Sequence, residues 1–254
     1  MKTIFINCSP KKSMSASSYL ISLQRIFVKG EKVTETLRNK GDYQRILESL
    51  KDADNVVFVL PLYVDGIPSH VLPFLKDMED YCKENEIKLN VYSVVNNGFI
   101  EGRQSEPVMR ILKNFSKRAG LHFCGGTGIG GGVMLNVTRI VFLVQICLFV
   151  LNVILSIVNN GLVFPTGTVL GFLKSASIVL FFNAGVLLFL SQMGFKINKS
   201  KDFGKKYTRI LIPSFIFIIF ADIFFLVISL FKGGIFRGLF SKKQPDTNIS
   251  KEKI

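Results

Sequence analysis

The sequence predicts an α/β protein with a doubly wound parallel sheet of five strands, followed by an all-helical apolar region of about three helices. Up to Gly132, short β-rich runs alternate with amphipathic segments, which is typical of βα units. Beyond Gly132 come three apolar stretches. Each is long enough to cross the hydrocarbon core of a bilayer as a helix, which requires roughly 20 residues. With 48% hydrophobic residues and a mean hydropathy of +0.37 over 254 residues, the whole chain is too apolar for one ordinary soluble domain.

The first region, residues 1–132, alternates strands with helices. The continuous apolar run at 55–60 is typical of a strand buried on both faces of a parallel sheet. The segment 107–119 places Val108, Ile111, Leu112 and Phe115 on one helical face, as a helix packed on a sheet requires. The predicted strands are 3–7, 32–37, 55–60, 88–95 and 121–124. The predicted helices are 17–28, 43–53, 68–84 and 107–119.

A loop rich in Ser and Lys joins the first strand to the first helix. Residues 7–18 read Asn-Cys-Ser-Pro-Lys-Lys-Ser-Met-Ser-Ala-Ser-Ser. Ser hydroxyls and the free amide groups of a helix N-terminus donate hydrogen bonds to phosphate, and the helix dipole favours an anion there. Two interpretations are open on this loop alone, a solvated loop and a phosphate site.

The loops after the first, third and fourth strands should meet at one crevice, because ligands of doubly wound sheets bind beyond the carboxyl ends of the strands where the order reverses. The third strand is followed by residues 61–68, the fourth by 96–103, and the fifth by the glycine-rich run 125–132. Glycine carries no Cβ, so we expect this run to let the backbone approach a flat ligand.

On these four segments, residues 1–135 resemble the flavodoxin-like NADPH-dependent FMN reductase family, whose phosphate loop has a G-S-P-x-x-x-S-x-T-S pattern. The resemblance implies FMN as cofactor, NAD(P)H as co-substrate and a homodimer. It implies that the FMN phosphate is bound by Ser9, Lys11, Ser15, Ser17 and Ser18. It implies that the isoalloxazine is bordered by Pro61, Leu62, Tyr63, Val64, Asp65 and Gly66, and covered at its other edge by Asn97, Gly98, Phe99 and Glu101.

The chain departs from the family pattern at Cys8, which stands where the family has Gly, and at Met14, which is an insertion in the phosphate loop. Other nucleotide sites are disfavoured. The sequence has no G-x-x-x-x-G-K motif, and its late glycines do not follow the first strand as a dinucleotide fingerprint would. No arginine pair at a predictable position marks a site for a 2′-phosphate.

The chain beyond Gly132, which contains the second region at residues 133–231, carries most of the net positive charge. The first 132 residues hold 18 Lys and Arg against 14 Asp and Glu, and the rest of the chain holds 14 against 4. The predicted spans are 133–158, 168–192 and 210–231, and the basic link between the second and third is cytoplasmic by the positive-inside rule. We therefore expect a multi-pass protein of the cell membrane with a cytoplasmic N-terminal domain and a disordered basic tail, 232–254. The lipid bilayer, and no nucleic acid, is the partner that these flanking charges indicate.

Single polar residues carry weaker signals. Asp222, in the third predicted span, is either functional or a carboxyl that is protonated or paired with Lys174. The four cysteines form no C-x-x-C pair and lie at no metal-ligand spacing from a His, so neither a zinc site nor a disulfide framework is predicted. No catalytic side chain is predicted, because a flavin supplies its own chemistry.

These features predict a membrane-anchored FMN-dependent oxidoreductase that passes reducing equivalents from NAD(P)H to an acceptor such as a quinone or a flavin. Two alternatives remain open. The first is an FMN electron carrier without reductase activity of its own, and the second is a membrane-tethered interaction module that binds no flavin.

Overall fold

The computed structural model describes residues 1–12, 15–63, 65–160 and 166–231. The chain divides into two compact units, with the boundary after Leu211. The first unit is built on one parallel sheet, and the second contains a single described helix. The predicted tail, residues 232–254, lies outside the described part, as do Val64 and Met14.

The sheet has six strands in the order β2-β1-β3-β4-β5-β6, and every neighbouring pair is parallel. The first five strands therefore have the flavodoxin-like order 2-1-3-4-5. We use "carboxyl edge" for the edge of the sheet at which the strands end and "amino edge" for the edge at which they begin. The strands are β1 (Lys2–Asn7), β2 (Glu31–Thr36), β3 (Asn55–Pro61), β4 (Asn90–Asn96), β5 (His122–Gly130) and β6 (Gly204–Arg209).

Four helices connect the first five strands, as the periodicity predicts. They cover the sheet with apolar side chains, and the core includes Phe5, Phe58, Phe74 and Phe115, each at most 1% exposed. The seven helices of the described chain are α1 (Ala16–Phe27), α2 (Tyr43–Ser49), α3 (Val71–Glu84), α4 (Glu106–Arg118), α5 (Gly132–Asn160), α6 (Thr166–Ile197) and α7 (Ser214–Phe231).

The prediction of a five-stranded sheet followed by helices alone is wrong, because β6 adds a sixth strand inside the predicted helical region. β6 pairs with β5 from Gly125–Gly204 to Gly130–Arg209. Its sequence, Gly-Lys-Lys-Tyr-Thr-Arg, is that of an edge strand, where lysines discourage pairing with other chains. The basic link predicted between two spans is therefore partly a strand.

Helix α6 has two halves with different surroundings. Its second half packs on the sheet beside α1, where Val186, Leu190 and Met193 are fully buried. Gln24 of α1 donates from Nε2 to the carbonyl of Leu190 at 3.1 Å, and a Cβ on Gly194 would lie 2.5 Å from Cβ of Phe27. This half fills the place of the helix that connects β5 to β6, although the predicted span 168–192 includes the part of it up to residue 192.

The first half of α6 and most of α5 extend away from the sheet as a helical pair. Phe172 of α6 stacks against Phe149 of α5, with ring centroids 4.6 Å apart. The side chains around this pair are exposed and apolar, including Leu170 at 70% and Phe181 at 63% exposure. At about 1.5 Å per residue, residues 166–182 cover roughly 25 Å. We call these parts of α5 and α6 the apolar arm.

In the described chain, two helices are long and apolar enough to cross a membrane, at Met134–Asn159 and Gly167–Ile197. The third predicted span, 210–231, overlaps α7, which lies in the second unit. Asp222 is exposed on this helix, and its role stays a prediction.

Candidate functional site

The Ser-rich loop lies at the carboxyl edge between β1 and α1, where the predicted phosphate site requires it. Ser9, Ser15 and Ser17 are at most 3% exposed, whereas Lys11 is exposed. The Oγ of Ser9 accepts from the backbone N–H of Lys11 at 3.4 Å. Burial raises the pKa of the Cys8 thiol, so Cys8 brings a neutral side chain to this loop. In the described part of this loop, the Ser9 hydroxyl thus supports the backbone of Lys11, and the lysine side chain lies at the surface.

Ser15 caps helix α1. Its Oγ accepts from the backbone N–H of Ser18 at 3.1 Å, and the hydroxyl of Ser18 donates to the carbonyl of Ser15 at 2.8 Å. The first N–H groups of a helix have no partner within the helix, and this cap satisfies one of them. The positive end of the α1 dipole therefore faces the same loop that carries Lys11.

Arg38 is a residue of this site that the sequence did not indicate. It follows β2, and its Nη2 donates to the carbonyls of Lys11 and Lys12 at 3.1 and 3.3 Å. Its Nε is buried and has no hydrogen-bond partner among the described residues. A buried guanidinium N–H without a partner is costly, so this group is suited to an anion held by the loop.

Asn96, the last residue of β4, connects three elements of the carboxyl edge. Its Nδ2 donates to Oγ of Ser17 at 3.1 Å and to the carbonyl of Leu60 at 3.2 Å. The side chain is 5% exposed. The end of β4, the end of β3 and the first turn of α1 are therefore fixed to one another at the centre of the sheet. No local pattern in the sequence marks this residue.

The loop after β3 forms a tight turn. Pro61 ends the strand and Leu62 is buried, with its N–H donating to the carbonyl of Asn96 at 2.8 Å. Tyr63 and Gly66 exchange two backbone hydrogen bonds, and Asp65 between them has φ of +57°, a conformation that Asp tolerates better than most residues. The Tyr63 side chain is 41% exposed.

The loop after β4 is folded back on its own backbone. Asn97 donates from Nδ2 to the carbonyl of Glu101 at 3.1 Å and to Oγ of Ser105 at 2.9 Å. The Oδ1 of Asn97 is buried, and no hydrogen bond to it is formed within the described chain. Gly98 has open space where a Cβ would lie, and Phe99 is 54% exposed.

The glycine-rich run does not form a ligand loop, in contrast to our expectation. Residues 125–130 lie within β5, which continues to Gly130. A Cβ on Gly130 would lie 2.1 Å from the carbonyl oxygen of Ile100, and one on Gly126 would lie 2.0 Å from Oγ of Ser93. Because these glycines have no Cβ, β4 and the loop after it can pack closely against β5.

The carboxyl edge also carries a small cavity of about 280 Å³ between the loop after β4 and β6. Arg103 and Arg209 both line it, together with Glu101 and Tyr207. A guanidinium group binds phosphate with several parallel hydrogen bonds. The structure thus brings together two arginines that are more than a hundred positions apart in the sequence.

The residues at the carboxyl edge fit FMN. Buried hydroxyls, an exposed lysine, the buried Nε of Arg38, which has no partner within the described part of the chain, and a helix N-terminus suit a phosphate dianion. Tyr63 and Phe99 suit a flat ring, because they are exposed aromatic side chains on loops that follow neighbouring strands, paired up to Pro61 and Asn96. The buried Oδ1 of Asn97 is an acceptor that a ring N–H would satisfy. Val64 lies outside the described residues.

Comparison with known proteins finds no matching family model and no matching curated protein. Among solved structures, the chain resembles the Trp repressor binding protein of Bacillus subtilis at 17% identity, covering 51% of this chain and 85% of that one, with a TM-score of 0.42. It resembles a flavodoxin, WrbA-like protein of Agrobacterium tumefaciens at 12% identity (48% and 74%, TM-score 0.40). An NAD(P)H:quinone oxidoreductase of Methanothermobacter marburgensis matches at 11% identity (55% and 92%, TM-score 0.38). These likenesses concern the fold alone, so function has to be inferred from this chain's own strand order and contacts.

Proposed function

We propose that the chain is a membrane-anchored FMN-dependent oxidoreductase that passes reducing equivalents from NAD(P)H to a lipid-soluble acceptor such as a quinone. The observation that carries this proposal is the position of Asn96. It joins the ends of β3 and β4 to the first turn of α1, beside the β1/β3 switch point at which sheets of this strand order bind FMN.

In this proposal each group at the carboxyl edge has one task. A bound flavin supplies the hydride chemistry. Ser9, Lys11 and the N-terminus of α1 bind the phosphate, and Arg38 holds the loop through its carbonyls. Tyr63 and Phe99 would border the ring and keep water from it, and the Oδ1 of Asn97 would orient the ring by accepting one hydrogen bond.

The acceptor is inferred from where the apolar arm begins. The backbone N–H groups of Gly131 and Gly132 donate to the carbonyls of Phe99 and Asn97, both at 2.6 Å. Helix α5 begins at Gly132, so the loop proposed to cover the flavin is hydrogen-bonded to the first residues of the arm. If the arm enters a bilayer, the flavin edge faces the lipid, where a quinone is dissolved.

NADPH is the donor that the arginines favour. Arg103 and Arg209 line the cavity of about 280 Å³ at the same edge. Two guanidinium groups would bind the 2′-phosphate that NADPH has and NADH lacks. The proposed topology is a multi-pass protein of the cell membrane with the sheet in the cytoplasm, supported by the positive-inside rule. A homodimer is part of the proposal because the resembled family forms one.

The decisive experiment is the visible absorption spectrum of the full-length chain in mild detergent, with and without added FMN, followed by anaerobic addition of NADPH or NADH. We expect bound oxidised flavin that NADPH bleaches faster than NADH. Flavin that binds without bleaching would replace the enzyme with an electron carrier. Failure to bind FMN would overturn both flavin proposals and favour a tethered interaction module.

Membrane anchoring needs a separate test. We expect the chain to remain with the membrane fraction after an alkaline carbonate wash, which removes peripheral proteins. In proteoliposomes that contain a long-chain quinone, NADPH oxidation should be faster than in quinone-free vesicles of the same lipid. Release by carbonate would contradict the anchor and leave the flavin proposal standing.

A further inference from the structure

A second candidate site lies at the amino edge of the sheet, far from the loops that would bind flavin. It contains His122 at the start of β5, Cys124 two residues later, and Asp202 in the turn before β6. One ligand atom from each residue lies within 4.8 Å of the other two. Nε2 of His122 is 2.7 Å from Oδ1 of Asp202. The sequence did not reveal this cluster, because Asp202 is distant from the other two residues in the chain.

A β-bulge sets the position of Cys124. Val91 of β4 pairs with Phe123, whereas the next residue, Tyr92, pairs with Gly125. Cys124 is therefore the inserted residue, and Gly125 after it has φ of +115°. Bulges re-aim a side chain and are common next to functional sites.

Asp202 is held in place by contacts that involve the same region. The hydroxyl of Tyr92 donates to the carbonyl of Lys201 at 3.0 Å, and the N–H of Phe203 donates to the carbonyl of Cys124 at 2.8 Å. The two residues that flank Asp202 are thus tied to β4 and β5. Its carboxylate reaches the cluster from a turn that is fixed on both sides.

A fourth donor atom, the side-chain oxygen of Asn90, is available. Oδ1 of Asn90 lies 3.7 Å from Sγ of Cys124. Nδ2 of Asn90 donates to the carbonyl of Asp54 at 3.4 Å and to Oδ1 of Asn55 at 3.2 Å. These two bonds direct the amide oxygen towards the sulfur. Asn90 and His122 also line a hollow of about 330 Å³, which gives an ion a path from solvent.

We propose that His122, Cys124 and Asp202 bind a divalent d-block cation of borderline softness, with Zn²⁺ as the best match, and that Asn90 or water completes the coordination. Imidazole, thiolate and carboxylate are the three donors that Zn²⁺ uses in proteins. With Zn–N of about 2.0 Å and Zn–S of about 2.3 Å, tetrahedral donors lie roughly 3.3 to 3.6 Å apart, between the 2.7 and 4.8 Å of this cluster.

The charges also match. A thiolate and the Asp202 carboxylate together offset the charge of a dication, which matters because Lys88 lines the same hollow. A metal at this place would link β5 to the turn that leads into β6, the edge strand. Its role would therefore be to fasten the sixth strand and the second half of α6, which precedes it, to the sheet.

The test uses the full-length chain in detergent, purified without a polyhistidine tag and freed of metal with a chelator. Titration with Co²⁺ should produce a sulfur-to-metal charge-transfer band in the near ultraviolet, and Zn²⁺ should remove it at one ion per chain. Cys124→Ser should abolish the band. Cys147→Ser, which removes the exposed thiol of α5, is the matched control and should leave the band unchanged.

Two exposed ligands give variants that do not depend on repacking the core. The side chains of His122 and Asp202 are 63% and 68% exposed, so His122→Gln and Asp202→Asn should fold and bind Co²⁺ at least about tenfold more weakly. Zn²⁺ should raise the thermal unfolding midpoint of the unmodified chain and not that of Asp202→Asn. Absence of the band in the unmodified chain, or its loss in Cys147→Ser and not in Cys124→Ser, would overturn the proposal.

Discussion

Nδ2 of Asn96 donates a 3.1 Å hydrogen bond to Oγ of Ser17, which joins the end of β4 to the first turn of α1. The two residues are 79 positions apart in the chain, and the same amide also holds the carbonyl of Leu60 in β3. One buried side chain therefore fixes the geometry between the proposed phosphate loop and the loops proposed to border the flavin ring.

Asn96→Ala should lower both stability and flavin affinity. It leaves buried acceptors on Ser17 and Leu60 without a donor, which costs about 1 to 3 kcal/mol of unfolding free energy. Urea unfolding and FMN titration in the same detergent measure the two effects. Asn85→Ala is the control, because the Asn85 amide donates to the carbonyl of Tyr81 at the exposed end of α3, away from the carboxyl edge. Equal losses in both variants would contradict the assigned role.

Ser15→Ala removes the cap of α1. We expect a loss of about 1 kcal/mol in unfolding free energy, and weaker FMN binding because the first turn frays beside the proposed phosphate. Ser22→Ala is the matched control, since Ser22 lies on the exposed face of the same helix and its hydroxyl donates to the carbonyl of Ser18 at 3.1 Å. If Ser22→Ala destabilises the chain as much, capping is not the cause.

Arg38→Lys keeps the positive charge and loses the guanidinium contacts to the carbonyls of Lys11 and Lys12. We expect the dissociation constant of FMN to rise roughly tenfold, the equivalent of about 1.4 kcal/mol, while that of riboflavin, which has no phosphate, stays the same. Fluorescence titration with the two flavins separates the effects. Arg25→Lys, at the far end of α1, should change neither, and a parallel loss for riboflavin would show that Arg38 acts on the fold.

Gly130→Ala should destabilise the sheet. The new Cβ would lie 2.1 Å from the carbonyl oxygen of Ile100, so β5 and the loop after β4 must move apart, at a cost of about 1 to 3 kcal/mol. Gly98→Ala, in the loop after β4, brings its Cβ within 4 Å of no described residue other than its chain neighbours and is the control for unfolding experiments. An unchanged stability of Gly130→Ala would show that the two segments are less closely packed than the structure has them.

The ion pairs of Glu79 should make the free energy of unfolding depend on pH in the acid range. Lys83 donates to its Oε1 at 2.8 Å and Arg118 to its Oε2 at 3.0 Å, and the hydrogen bond from Lys83, then the charge of Arg118, lowers the pKa of the carboxyl. A lowered pKa contributes stability above the ordinary Glu value of about 4.3, and this stability disappears as the pH falls through the folded-state pKa.

Glu79→Gln should therefore be less stable than the unmodified chain at neutral pH, and the difference should shrink as the pH falls below about 4. Unfolding curves at several pH values measure it. Asp80→Asn, at the exposed neighbouring position of α3, should show no such convergence. A difference that stays constant down to the lowest pH would contradict the ion pair.

Periodicity and composition predicted the elements whose burial is regular. The run 55–60 became β3, buried at every position, and the segment 107–119 became α4, with Val108, Leu112 and Phe115 in the core. Such elements can be predicted from the sequence because every residue on one face meets the same environment, so the pattern of apolar residues repeats along the chain.

The elements that the sequence did not show lack this regularity. β6 holds two lysines and an arginine in six residues, so its sequence is typical of an exposed link. It is a strand because it pairs with β5, and this pairing has no signal in the local sequence. The glycines of β5 indicated a ligand loop because a missing Cβ does not say which neighbour comes close. Here the neighbours are Ser93 and Ile100, distant in sequence from the glycines they meet.

The candidate site was predictable only in part, for the same reason. The Ser-rich loop is a contiguous segment, so its residues could be named in advance. Arg38 and Asn96 donate hydrogen bonds to backbone carbonyls of other elements. Every residue has a backbone carbonyl, so the sequence does not indicate which one a side chain will meet. Contacts of this kind become visible only when the strand order is known.

Helix α6 runs without interruption from Thr166 to Ile197, and its two halves belong to the apolar arm and to the sheet. A continuous helix is stiffer than a flexible linker, so the apolar arm and the α/β fold should move together as a rigid body. If the arm stands in a bilayer, the carboxyl edge of the sheet is held at a constant height and tilt above the lipid. In the proposed function, the flavin would then stay at a fixed distance from the lipid, and a lipid-soluble acceptor would reach it without a swinging motion of the domain.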